Sequence, residues 1–156
     1  MMKIARTLRR ILGAMAIATL FSHCAGARFN ADWNRAVTDQ HAGKHDAVTG
    51  PWEGTWLSHH NQHTGALRCL VDPVSGSDEL YRFRYRATWK NFLSGGFAAD
   101  YTVKSDGGAG YRVTGEKDLG SFGTFTHDGR IRGNDFEATF RSSSGDHGEF
   151  SLKRPE

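Results

Sequence analysis

Residues 81–90 read YRFRYRATWK, with Tyr81, Phe83, Tyr85, Ala87 and Trp89 on one parity and Arg82, Arg84, Arg86, Thr88 and Lys90 on the other. Side chains alternate faces along a strand, so this segment is a strand with an aromatic face and a basic face. Burying one such ring stabilises by about 2–3 kcal/mol. Burying an unpaired guanidinium costs more than that returns. The rings therefore face inward and the arginines outward. Leu67, Cys69 and Val71 precede this stripe with the same alternation, and Phe97, Ala99, Tyr101 and Val103 follow it.

Working outward, short alternating runs recur from Pro51 to the end of the chain, separated by Gly, Asp, Ser and Asn. The pattern predicts strands over residues 52–58, 65–74, 79–90, 97–104, 110–114, 117–127, 130–141 and 147–154. Asp128-Gly129 reads as a two-residue hairpin turn. The inward parity breaks between Phe122 and Phe125, and again between Ile131 and Phe136. Those breaks predict bulges near Gly123 and Gly133. No helical period lies between any two runs, and the connections are too short for parallel crossovers. The expected fold is all-β: an eight-stranded antiparallel meander barrel, with a two-sheet β-sandwich as the alternative. Placing Trp89 opposite Phe97 would set Arg86 across from Asp100. That would be a surface ion pair of about 0.2–1 kcal/mol.

The chain before Pro51 is different. Lys3, Arg6, Arg9 and Arg10 precede an apolar run from Ile11 to Phe21, and Ala25-Gly26-Ala27 has the small-residue form of a cleavage site. This is the pattern of an export signal over residues 1–27. Cys24 offers a second processing route, lipidation, which would tether the chain to a membrane. Both routes place the protein outside the cytoplasm: periplasmic, in the cell envelope, or secreted. Residues 28–50 read as an extension, with Asn30 or Asp32 capping a short helix through about Val37 and Trp33 as its anchor. The barrel domain is residues 51–156.

The 20 Lys+Arg residues outnumber the 17 Asp+Glu, but four of the basic residues and none of the acidic ones lie in residues 1–27. The remainder carries 16 against 17, so its charge argues for neither nucleic acid nor an anionic membrane as partner. Beyond residue 27 the single cysteine is Cys69, which excludes an internal disulfide there and reads as a buried, inert thiol.

The stretch GPWEGTW, residues 50–56, resembles the G-x-W opening of the first strand in lipocalin-like (calycin) barrels through Gly50 and Trp52, extended by Gly54 and Trp56. The wider chain, through DGRIRGNDFEATF and GEFSLKRP, looks like small exported bacterial barrels. The resemblance implies that Trp52 plugs a closed barrel end and that an arginine near the last strand packs across it. Arg154 is the candidate, with Arg141 second.

Three histidines, His59, His60 and His63, follow the first strand and are the weak candidates for a metal site. They lack the helical H-x-x-x-H spacing and a nearby carboxylate or thiol, so a solvated loop is the simpler reading. No nucleophile elbow, phosphate loop or Cys–His pair is present. The sequence thus points to a non-enzymatic exported binding module without a cofactor, taking a small apolar ligand. Its wall candidates are Trp52, Trp56, Tyr81, Phe83, Tyr85, Trp89, Phe97 and Tyr101. The alternatives are a cell-envelope scaffold with a fully packed barrel and, last, a metal protein or enzyme built on the histidine loop. A paired Arg82→Ala/Arg84→Ala substitution separates the two orientations of β-face. If the arginines face outward, the pair leaves urea stability within about 1 kcal/mol of wild type; if they line the lumen, it abolishes binding of an anionic ligand.

Overall fold

The computed structural model describes residues 26–89 and 93–156, apart from the side chains of Trp89, Leu93 and Phe122. The basic start, the apolar run and Cys24 lie outside the described residues. Residues 26–41 are helical. Asn30 and Asp32 therefore sit inside the helix and do not cap it. Ala27, Arg28 and Phe29 ahead of them contain nothing that stops a helix, and Phe29 stacks on Trp33 one turn on, with centroids 6.3 Å apart. The helix also runs past Val37, to residue 41, before Gly43 turns the chain at φ +67°.

Eight strands follow: β1 Gly50–Ser58, β2 Thr64–Pro73, β3 Leu80–Trp89, β4 Leu93–Ser105, β5 Gly110–Asp118, β6 Thr124–Arg132, β7 Asp135–Ser142 and β8 His147–Lys153. Each pairs antiparallel with the next, and β8 returns to pair with β1, so the sheet is a closed meander barrel. Closure removes both sheet edges and excludes the sandwich.

Within the barrel two further expectations change. The β3–β4 register pairs Tyr81 with Tyr101, Arg82 with Asp100 and Trp89 with Leu93. This is four residues from the register expected, because Leu93 to Gly96 extend β4 where the glycines suggested a loop. The shift is even, so no side chain changes face. Asp100 is met by Arg82, at 2.7 and 2.8 Å, and not by Arg86. Arg84 reaches Asp72 on β2 at 3.0 Å.

The second change lies in β6 and β7. Asp128-Gly129 is in the middle of β6, and the hairpin turns at Gly133-Asn134. Gly133 has φ +56°, which the first position of a two-residue loop favours and which only glycine adopts freely. Turning there points Phe125, His127, Gly129 and Ile131 inward from β6, and Phe136, Ala138, Phe140 and Ser142 inward from β7. The parity changes at the turn, so no bulge is needed at Gly133. Gly123 likewise belongs to a turn, after the short 3₁₀ segment Gly120–Phe122.

The barrel half around the start of β1 is solid. Trp52, Val71, Phe83, Tyr101, Val113, Ile131, Phe136 and Leu152 are each at most 2 % exposed. Trp52 meets Phe136 edge-on at 5.7 Å, and Phe83 meets Tyr101 at 5.2 Å. Just outside this layer, Gly50 holds φ +99°, and a side chain there would meet the His45 ring at 2.6 Å. The Trp52 indole N–H donates to the Val48 carbonyl at 3.0 Å.

Arg154 lies across the outer face of Trp52, its guanidinium carbon 3.7 Å from the ring centroid. It donates to the carbonyls of Thr49 at 2.7 Å, Pro51 at 3.3 Å and Asp46 at 2.9 Å. Burial lowers its pKa to about 10, opposed by the nearby Asp46 carboxylate. Arg141, the second candidate, is exposed on β7. Arg154→Ala deletes the ring contact and leaves three carbonyls without their donor. A loss of about 2–4 kcal/mol in urea unfolding is expected. Arg154→Lys should recover less than half, since one ammonium cannot both stack flat on indole and span three carbonyls.

Candidate functional site

The opposite barrel end, toward the β1–β2, β5–β6 and β7–β8 loops, is not filled. A cavity of about 410 Å³ opens there. Its wall is made by Tyr85, Phe97, Phe125, Phe140 and Phe150, with Trp56, Leu67, Ala87 and Leu119 completing it. Asn61, His63 and Asp146 bring polar atoms to the mouth. The rim is tied down: the Ser58 hydroxyl donates to Asp146 at 2.6 Å, and the His59 N–H donates to the His147 carbonyl at 2.8 Å. These bonds join the end of β1 and the residue after it to the residue before β8 and its start.

The wall residues arrive by strand alternation. Tyr85 and Phe97 are direct cross-strand partners with ring centroids 5.0 Å apart. Phe150 comes from β8 and meets Tyr85 edge-on at 5.8 Å, while Phe125 and Phe140 meet at 6.1 Å. The eight residues proposed from sequence therefore divide. Trp56, Tyr85 and Phe97 line the cavity. Trp52, Phe83 and Tyr101 belong to the packed half. Tyr81 is half-buried at the Trp52 end, and the Trp89 side chain is outside the described residues.

A turn at Asp128-Gly129 would leave His127 at the end of its strand, beside the hairpin turn. His127 lies instead in the middle of β6, pointing inward, 8 % exposed, on the cavity wall. Its ring is parallel to Tyr85 within 12° at 6.3 Å and close to Phe97 at 6.2 Å. Its Nδ1 is 2.8 Å from the Tyr101 hydroxyl, so Tyr101 links the packed half to the cavity. Burial lowers the imidazole pKa to about 4 and raises those of Tyr101 and Tyr85. The Tyr85 hydroxyl is buried with no hydrogen bond of good geometry. The Cys69 thiol beside it is a weak partner, and burial raises that thiol's pKa well above its usual range. Phe125, Phe140 and Phe150 were missed as wall residues although their strands alternate plainly. His127 becomes legible only once the turn is set at Gly133, which gives it the parity of Phe125 and Ile131.

The histidine loop does not form a metal cluster. His59, His60 and His63 are exposed, and among the described residues no three His, Cys, Asp or Glu side chains gather as metal ligands. His59 lies 3.8 Å from the Glu149 carboxylate and 6.1 Å, ring to ring, from His147. A second concavity, about 730 Å³, is on the outside of β6, β7, β8 and β1, lined by charged and hydroxyl groups such as Arg112, Asp128, Arg130, Glu137 and Glu149. Arg112 and Asp128 pair there at 2.6 Å across exposed strands, as on an ordinary solvated face.

The buried imidazole makes stability depend on pH. In the unfolded chain His127 takes up a proton near its ordinary pKa of 6.5, whereas in the fold it does so only near about 4. Its contribution is complete above pH 6.5 and is lost as the pH falls toward 4, a difference of about 3 kcal/mol. His127→Phe should remove that part of the slope, read from urea unfolding at half-unit steps between pH 7 and pH 4.

The chain matches no protein-family model and no curated protein sequence. Among solved structures it is similar to a redesigned β-barrel, b11L5F_LGL, with TM-score 0.52 and 18 % identity over 70 % of this chain and 93 % of that one. It is equally similar to the redesigned barrel mFAP1 bound to DFHBI, with TM-score 0.52 and 18 % identity over 69 % of this chain and 95 % of that one. At such identity the likeness concerns the barrel fold alone.

Proposed function

We propose that this protein is an exported, non-enzymatic binding barrel that holds a small apolar ligand in the aromatic cavity at the end away from Trp52. The observation that carries this is the difference between the two halves of one lumen. In one half the inward side chains from Trp52 to Leu152 are fully buried against one another, and the other leaves about 410 Å³ lined by six Phe, Tyr and Trp side chains. Ligand pockets are concave, mostly apolar and few per protein, with a small number of placed polar groups. A lumen that served only as a scaffold would gain stability by filling that space. The barrel mFAP1, of similar fold, is bound to DFHBI, which supports the idea that an eight-stranded barrel of this size has room for a guest. The G-x-W opening and the Arg154–Trp52 contact support a lipocalin-like arrangement, in which one end is shut and the other receives the ligand. Export is supported by Lys3 to Arg10, the run Ile11 to Phe21 and the A-x-A site at Ala25 to Ala27.

Fluorene, a flat apolar tricycle, is a suitable probe. Wild-type protein should bind it with a Kd on the order of 100 μM, quenching the emission of Trp56. Ala87→Trp, which fills the cavity from β3, should abolish that binding. Native mass spectrometry of protein purified gently from its host should in addition show a small molecule that is released on denaturation. Bare protein with no affinity for fluorene would return the barrel to the scaffold reading.

A further inference from the structure

Below the polar mouth formed by Asn61, His63 and Asp146, and with the Tyr85 hydroxyl turned into the protein beside Cys69, the cavity wall carries one polar ring. His127 projects into the cavity between Tyr85, Phe97, Phe140 and Phe150, whose centroids lie within 6.4 Å of its own. Of its two nitrogens, Nδ1 is engaged by the Tyr101 hydroxyl at 2.8 Å. No group among the described residues hydrogen-bonds Nε2. A polar side chain more than nine-tenths buried, with one free nitrogen beside a cavity, has a place for a partner.

Which nitrogen bears the proton follows from Tyr101. That residue is fully buried, and His127 is the hydrogen-bond partner of its hydroxyl. If Nδ1 carried the proton it would donate to the phenol oxygen, and the phenol O–H would be buried with no acceptor. An orphaned buried donor pays its full desolvation cost. If the phenol donates to Nδ1, the pair is satisfied and the proton of the neutral ring sits on Nε2. Burial keeps the ring neutral, with its pKa at about 4. A neutral donor then stands among aromatic rings, below the polar groups of the mouth.

Resting on the binding reading above, we propose that the cavity selects flat apolar molecules carrying one hydrogen-bond acceptor, such as a ring carbonyl or a pyridine-type nitrogen, and that the Nε2–H of His127 is the donor that reads it. Tyr101 is a positioning residue: it fixes the tautomer without touching the ligand. Parallel neighbours such as Tyr85 suit a planar guest. An uncharged donor in apolar surroundings does not supply the countercharge a carboxylate needs, so neutral acceptors are favoured over anions.

The test pairs two probes of one shape, 9-fluorenone with a carbonyl and fluorene without, titrated calorimetrically into the intact chain. His127→Phe should weaken fluorenone about tenfold, the value of one hydrogen bond, and fluorene less than twofold. Tyr101→Phe retains the imidazole but releases its tautomer, and should weaken fluorenone about threefold while sparing fluorene. Equal losses for the two probes, or none for either, would overturn the role of His127 while leaving the binding barrel intact. Failure of both probes to bind wild-type protein would instead remove the binding reading, and this one with it. Nitrogen-15 spectra of unmodified wild-type protein need no variant: a proton on Nε2 is expected, and a proton on Nδ1 would overturn the proposal.

Discussion

The contact between Arg154 and Trp52 is where the barrel is shut. Arg154 directly follows β8, and Trp52 lies near the start of β1, so one guanidinium ties the end of the barrel to its beginning. It does three things at once. It covers the indole face, it gives donors to three carbonyls of residues 46–51, and its backbone N–H reaches Asn134 in the β6–β7 turn at 3.1 Å. Only a planar group with several fixed donors can both cover the indole and reach the three carbonyls from one position. The left-handed backbone at Gly50 lets the chain pass the His45 ring before it enters β1.

Closure at that end shapes everything above it. An eight-stranded lumen is only wide enough to be filled by side chains or to hold one small ligand. Here it does both in turn. Large rings fill the layers next to Trp52. Toward the other end, an inward position goes to a small residue as well as to rings: Ala87 on β3 lines the cavity and leaves room that a larger side chain would occupy. Tyr101 stands at the boundary, its ring packed against Phe83 and its hydroxyl against His127. A polar pair buried at the floor of an apolar cavity is costly unless each partner satisfies the other, and that requirement sets the orientation of the imidazole.

The outer surface needs less explanation. Arg82, Arg84, Arg112 and Lys104 find Asp100, Asp72, Asp128 and Glu79 on neighbouring strands or turns. Asp100 is held below the usual carboxylate range first by its hydrogen bond to Arg82. These pairs are exposed and worth little singly. Their effect is to keep a heavily charged face soluble and its register specific.

Much of this was written in the period of the sequence. Two-residue alternation in YRFRYRATWK decides which face is buried, because rings gain and guanidiniums lose by leaving water, and eight such runs with short connections leave few folds other than a meander barrel. The G-x-W opening and the lone arginine of SLKRP were likewise visible as a pair. Pairing and partition were not. Alternation is unchanged by a slip of two or four residues, so the β3–β4 register waited on where β4 begins. Two dipeptides, Asp128-Gly129 and Gly133-Asn134, are both able to turn a hairpin, and only the closure of β6 against β5 and β7 together selects the second. That choice sends His127 inward. The division of the aromatics into plug and wall also came from tertiary structure, since cavity volume is the space left after eight strands have packed, a sum over the whole barrel that no single strand carries.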